Sequence, residues 1–234
     1  MPNSNNVGTN LSHITEWIFD LDNTLYPRSC DLFAQIDVLI TQYMMEITGL
    51  AHDPARRLQK EYYRDHGTTL NGLMIHYDVD PDHYLNSVHD IDYSPVEAHP
   101  ELMEAIMQLP GKKYIFTNGD ISHATAVLQR LGNADLFDGM HDIRATNYVP
   151  KPEQFAYDSF LNFHKVDAKK AIMFDDLEKN LKVPHLMGMA TVHVVAQEGF
   201  SHDQVDDWEL GRVDNEDHIH HVTSDLVAFL KSID

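Results

Sequence analysis

Four short runs are mainly apolar: Trp17-Ile18-Phe19, Tyr114-Ile115-Phe116, Ala171-Ile172-Met173-Phe174 and, interrupted only by Thr191 and His193, Thr191-Val192-His193-Val194-Val195. A strand with one wet face alternates apolar and polar residues. An unbroken apolar run of this length fits a strand buried on both faces. Helix-patterned sequence lies between the runs. Residues 122–131 close on Gly132, a helix stop. Residues 152–163 and 177–186 follow, the latter bent or ended by Pro184. Buried strands alternating with helices specify an α/β fold, a Rossmann-like parallel sheet with helices on both faces. The apolar share, 43% of 234 residues, supplies a sizeable core.

One interval breaks the alternation. Residues 27–95, between the first and second runs, hold no convincing strand, while Leu32, Ile36, Leu39, Ile40 and Tyr43 keep a helical period, as do Ala55, Leu58 and Tyr62. A crossover between parallel strands does not need this length. The stretch therefore reads as an all-helical cap subdomain inserted after the first strand, at the carboxyl edge where α/β sheets bind ligands. The expected division is a core of residues 14–26 and 96–197, with residues 27–95 as the cap. Residues 1–13 read as a short disordered lead, since no basic segment runs into an apolar one. Residues 198–234 read as an acidic, His-rich tail ending in a helix whose stripe, Leu226, Phe229 and Leu230, docks on the core.

Charge narrows the partners. Seventeen Lys and Arg against 37 Asp and Glu give a net charge of −20. Nucleic-acid polymers and anionic membranes both require clustered cations, so neither is expected as the main partner. A bound cation is easily accommodated. The single cysteine, Cys30, excludes a disulfide framework and a thiolate zinc site. No apolar run approaches the ~20 residues of a membrane span, and the expected location is the cytoplasm.

The chemistry follows the strands. Asp20 and Asp22 come directly after the first run, in Phe19-Asp20-Leu21-Asp22-Asn23-Thr24. In extended chain, residues two apart point the same way, so both carboxylates face one small volume. Two anions there need a cation or a shared proton. A hard divalent ion fits such a site, and so does a nucleophile beside a proton shuttle; ordinary turn-capping by surface Asp is the plain alternative. Asp175-Asp176 repeat the theme after the third run, where helix capping explains one Asp but not both. Thr117-Asn118-Gly119 ends the second run with a hydroxyl, an amide and a glycine at a strand-to-helix turn, a setting suited to an oxyanion and also to a simple turn. Lys151, before Pro152, is a compact charge able to balance acids or hold phosphate.

These four elements, in this order, resemble the haloacid dehalogenase (HAD) superfamily: Asp20-x-Asp22-x-Thr24, then Thr117, then Lys151-Pro152, then Asp175-Asp176. The stretches 19–27, 67–70, 89–92, 116–119 and 176–181 further resemble the pyrimidine 5′-nucleotidase subgroup. The resemblance implies that Asp20 is the nucleophile, forms an aspartyl-phosphate and binds Mg²⁺. Asp22 would protonate the leaving alcohol and then activate water, its backbone carbonyl completing the metal shell. Thr117 and Asn118 would hold phosphate oxygens, and Lys151 would neutralise phosphate and orient Asp20. Asp176 would be the inner metal ligand, with Asp175 in support. Dehalogenases of the superfamily lack the second catalytic Asp and need no metal, so Asp22 favours phosphate chemistry; phosphatases and phosphomutases share the four motifs.

The expected activity is Mg²⁺-dependent hydrolysis of a small phosphorylated metabolite, a pyrimidine nucleoside 5′-monophosphate. Another small phosphate such as a sugar phosphate, or a non-catalytic binding role for the fold, are the alternatives. Substrate choice is expected in the cap, with the Thr68 and Thr69 hydroxyls reading a pyrimidine edge and Tyr26 or Phe33 stacked on the ring. His123 is expected near phosphate or ribose, or on a helix surface. His218, His220 and His221 have the look of a metal tract but are more simply a solvated tail.

Overall fold

The structure, a computed structural model, describes residues 11–196 and 217–233. The expected disordered lead falls largely outside those residues, as does much of the acidic tail. Among the described residues, six parallel strands form one sheet in the order β3-β2-β1-β4-β5-β6. They are β1 (Glu16–Phe19), β2 (Lys112–Phe116), β3 (Gly139–His141), β4 (Ala171–Asp175), β5 (Ala190–Val194) and β6 (His221–Thr223). The helices are α1 (Leu32–Thr48), α2 (His52–His66), α3 (Thr69–Tyr77), α4 (Pro81–Val88), α5 (Pro100–Gln108), α6 (Ile121–Leu131), α7 (Gln154–His164), α8 (Lys182–Leu186) and α9 (Leu226–Lys231).

Both faces of the sheet are covered, which is why its central strands read as mainly apolar runs without a polar alternation. Side chains alternate between faces along each strand. Trp17, Phe19, Ile115, Ile172 and Phe174 enter one core with α5, α6 and α9. Ile18, Tyr114, Phe116 and Met173 enter the other, against α7. Phe19 stacks on Phe174 with ring centroids 4.7 Å apart, tying the first run to the third across the sheet.

Helices α1–α4 all lie between β1 and β2 and close on their own cluster, including Ile36, Tyr43, Met44, Tyr62, Leu73 and Leu85. Gly72 lets α3 approach α2: a Cβ there would stand 2.4 Å from the Tyr62 ring. The predicted helical insertion is therefore present.

Two local expectations change, and the expected docking of the C-terminal helix holds. β3 and β6 were not anticipated; each has three residues of mixed polarity, too few to show a period. Residues 177–186 fold as a 3₁₀ turn (Glu178–Leu181) followed by α8, with Pro184 inside the first turn of α8, where its missing N–H forfeits no helical bond. Residues 221–223 join the sheet beside β5, and α9 packs on α5. Among the described residues no helix is long and apolar enough to cross a membrane.

Candidate active site

β1 is central, flanked by β2 and β4, so its carboxyl end opens where the strand order changes direction, the usual place for a ligand in such sheets. The register fixes what meets there. Phe19 pairs with Ile115 on one side and Phe174 on the other, and the Asp20 N–H donates to Phe174 O at 2.8 Å. Asp20 is thus the first residue past β1, beside Asp175 at the end of β4.

Lys151, from the segment between β3 and α7, completes this group from beneath. Its Nζ donates to Asp20 Oδ1 at 2.8 Å, to Asp175 Oδ2 at 2.8 Å and to Phe116 O at 2.9 Å. An ammonium has three donors, and all three are used. The side chain is only 1% exposed. Burial alone would lower its pKa, but the Asp175 and Asp20 carboxylates outweigh burial and hold the amine well above its ordinary value. Asn118 serves the same lysine: its side-chain oxygen accepts from Lys151 N at 2.8 Å and its amide donates to Lys151 O at 3.1 Å. The amide thus also secures the backbone of Lys151, while Asn118 lines the cavity beside Thr117. Thr117 Oγ1 accepts from Gly119 N at 2.9 Å and keeps its own proton to give.

Asp20 also accepts from Thr24 Oγ1 at 3.0 Å, the local reason for a Thr four residues on. Burial and then the charges of Asp175, Asp176 and Asp22 push its carboxyl well above the usual range, against the pull of Lys151. Asp176 is pushed up to about 7 by burial and the Asp175 charge, although Arg28 donates to its Oδ2 at 2.7 Å. Asp20, Asp175 and Asp176 each offer an oxygen within 4.8 Å of the others. The set fits a hard divalent cation: every donor is a carboxylate oxygen, and Lys151 and Arg28 leave the acids under-neutralised. Asn180 Oδ1, buried at the edge of the group, has no hydrogen-bond partner, a further oxygen suited to a cation or its water.

The Asp22 carboxylate lies outside this triad. Its Oδ1 accepts from Tyr26 Oη at 2.6 Å and faces His123 Nε2 at 2.7 Å. Burial would raise its pKa, but the charge and hydrogen bond of His123, the Tyr26 hydroxyl and the charge of His89 prevail and hold it at about 2. His123 is raised by the same pairing, in spite of burial.

The carboxylate edge faces a cavity of about 210 Å³. Asp20, Asp22, Thr117, Lys151 and Asp176 line its floor, and Phe33, Ile40, Thr68, Leu70 and Tyr84 line its helical side.

A family model described as haloacid dehalogenase-like hydrolase matches residues 17–183. The chain belongs to this HAD hydrolase family. A curated relative, phosphate metabolism protein 8 of Saccharomyces cerevisiae, is 29% identical over 76% of this chain and 61% of its own. The chain thus spans about three-fifths of that relative's length. A HAD phosphatase from Thermococcus onnurineus superposes with TM-score 0.58 at 17% identity, covering 93% of this chain and 97% of that one. L-2-haloacid dehalogenase from Xanthobacter autotrophicus, solved with chloropropionic acid covalently bound, gives TM-score 0.58 at 15% identity and the same coverage. At these identities the two share the fold of this HAD hydrolase, and the side chains must distinguish its chemistry.

The cap residues sit differently from expectation. Tyr26 does not stack over the cavity. It is 3% exposed within the main core, and its hydroxyl is spent on Asp22. Phe33, half-exposed on the cavity wall, is left as the ring able to stack. Thr68 caps α3 by accepting from Asn71 N at 3.1 Å and retains a proton to donate; Thr69 is buried and donates to Gln59 O at 3.2 Å. Neither expectation for His123 holds, since its side chain is wholly buried against Asp22. His218 is buried too, its carbonyl accepting from Thr191 Oγ1 at 2.6 Å, and His220 Nδ1 bonds the same threonine. These tail histidines fasten β6 to β5. Sequence reasoning missed Arg28, although a cation just past an acidic strand end is a signal available from the sequence.

Proposed function

We propose that this HAD hydrolase is a Mg²⁺-dependent phosphomonoesterase acting through an aspartyl-phosphate on Asp20, with a pyrimidine nucleoside 5′-monophosphate as substrate. The observation that carries the reading is Asp22: a second carboxylate two residues from the nucleophile, on the same cavity floor and held by its own partners. Dehalogenation has no use for it. Transfer of phosphate from an alcohol requires a proton donor, and the return step requires a base.

Asp20 attacks phosphorus, the bond to the leaving oxygen breaks, and Asp22 supplies that oxygen with a proton. Asp22, ionised again, then takes a proton from the water that hydrolyses the aspartyl-phosphate. In the resting site Asp22 is ionised, so it takes up a proton from solvent as the phosphate ester binds, because the ester's negative charge opposes a second anion beside it. Lys151 holds Asp20 in place and offsets its charge, while Thr117 has a proton for a phosphate oxygen. A divalent ion at Asp20, Asp175 and Asp176, with the Asp22 backbone carbonyl, would supply the positive charge that lets an anionic nucleophile approach an anionic ester.

The reading divides the chain into a core of residues 14–26 and 96–197 and a cap of residues 27–95, whose apolar wall, with Phe33, suits a flat ring. Thr68, with its remaining proton, is the cap hydroxyl suited to a pyrimidine carbonyl. The test is hydrolysis of 4-nitrophenyl phosphate with Mg²⁺ by the wild type and by Asp20→Asn, followed by a panel of nucleoside monophosphates and sugar phosphates. Metal-dependent turnover lost in Asp20→Asn, and fastest with pyrimidine nucleotides, is expected. A wild type that hydrolyses no ester leaves only a binding role.

A further inference from the structure

The structure treats the two oxygens of Asp22 differently. Oδ1 is gripped by Tyr26 Oη at 2.6 Å and His123 Nε2 at 2.7 Å. Oδ2 has no hydrogen-bond partner among the described residues and lies beside Gly119, 3.8 Å from where a Cβ would stand on that glycine. Asp22 and Gly119 both line the cavity.

The gripping groups are themselves fixed. The His123 ring stacks on His89 with centroids 4.6 Å apart and an interplanar angle of 18°. Its Nδ1 meets Tyr93 Oη at 3.0 Å, and Tyr93 gives its own proton to His89 O at 3.0 Å. Nδ1 is therefore the donor to Tyr93, while Nε2 faces a carboxylate that only accepts. The ring is held from both ends and from one face, and its side chain has no exposed surface. Tyr26 stands four residues past Asp22, buried in the main core, with Asp22 as the partner of its hydroxyl. Of these supporting groups only His89 lines the cavity; Tyr26, Tyr93 and His123 do not.

We propose that His123, together with Tyr26, is a positioning residue for Asp22: the pair pins Oδ1 and so assigns Oδ2 as the atom that exchanges the proton with substrate. The inference rests on the phosphomonoesterase reading. In the first step the Oδ2–H bond breaks and its proton passes to the ester oxygen. That oxygen keeps the electron pair of its broken bond to phosphorus, and the bond from Asp20 to phosphorus forms. A free carboxylate turns about its last bond and offers either oxygen. A pinned one holds the proton-bearing oxygen within transfer distance.

The consequence is selective for the leaving group. Nitrophenolate leaves without help, whereas an alkoxide needs its proton. The comparison uses kcat/KM, because this parameter reads the step in which the alcohol departs and excludes the later hydrolysis common to every ester. For His123→Phe and Tyr26→Phe, kcat/KM on ethyl phosphate is expected to fall about 10- to 100-fold, and on 4-nitrophenyl phosphate less than about 3-fold. Phenyl phosphate should lie between them. Tyr26→Phe removes one oxygen and keeps the core filled, so it carries the test even if His123→Phe unfolds. Equal losses on all three esters overturn the inference while leaving the phosphatase reading intact. A wild type inactive on all three overturns that reading and the inference with it.

Discussion

Asp176→Asn should make the metal-free protein more stable. The carboxyl titrates at 3.8 in the unfolded reference and at about 7 in the folded site, where burial and Asp175 act against Arg28. A carboxyl with a raised folded pKa binds its proton more tightly in the fold. It therefore favours folding fully below pH about 4, and this advantage is lost as pH climbs to about 7. Above that, ionised Asp176 weighs against the fold by the whole difference, about 3 pKa units or about 4 kcal/mol. The amide keeps the shape and an oxygen for Arg28 but carries no charge. At pH 8 in a chelator, Asp176→Asn is expected to gain about 2–4 kcal/mol, which raises Tm by roughly 4–16 °C for a chain of this size. The gain should shrink at pH 4.5. Added Mg²⁺ should raise the Tm of the wild type and leave the variant unmoved, because a cation that binds only the folded state stabilises it. Thermal unfolding followed by dye fluorescence reads all of this. An Asp176→Asn protein no more stable than wild type in chelator at pH 8 would refute the reasoning.

Three other outcomes follow from the same geometry. Lys151→Met leaves Asp20 and Asp175 buried without their cation and should cost about 3–5 kcal/mol in chemical denaturation, with a loss under about 1 kcal/mol counting against the arrangement. Arg144 bridges Asp120 Oδ2, at 2.9 Å, and Asp82 Oδ1 of α4, at 2.7 Å, yet is 31% exposed. Arg144→Ala should therefore change global stability by less than about 1 kcal/mol while speeding amide exchange along α4, and unchanged exchange would remove its bridging role. Thr68→Val forfeits the cap of α3, at about 1 kcal/mol, and should flatten the preference among nucleoside monophosphates; an unaltered preference removes Thr68 from base reading.

Much of the fold was legible because it is periodic. The four strands that were anticipated carry short, mainly apolar runs, and α1 and α2 carry helical stripes. β3 and β6 were not legible, since Gly139–His141 and His221–Thr223 are too short and too polar to signal a strand. In the site, the acids stood out because each pair follows a buried strand. Their partners did not. Tyr26 reads as an aromatic ring available to a ligand, and His123 as a histidine in the first turn of a helix; only their contacts show both turned on one oxygen of Asp22. Asn118 carries a second role that was not legible: an amide at a strand end reads as a ligand donor, and only its contacts show that it also holds the backbone of Lys151.

By itself the sequence determined the parallel sheet, the helical insertion after β1 and the kinds of group at the strand ends, because those rest on periodicity and on bonds between neighbouring residues. Only the tertiary structure decided how these groups combine: three carboxylates converging, a lysine with every proton spent, and one oxygen of Asp22 held while the other is left without a partner among the described residues. These contacts join Asp20 to Lys151 and Asp22 to His123 across long stretches of chain. Strand order and register set such distances, and neither is written in local spacing.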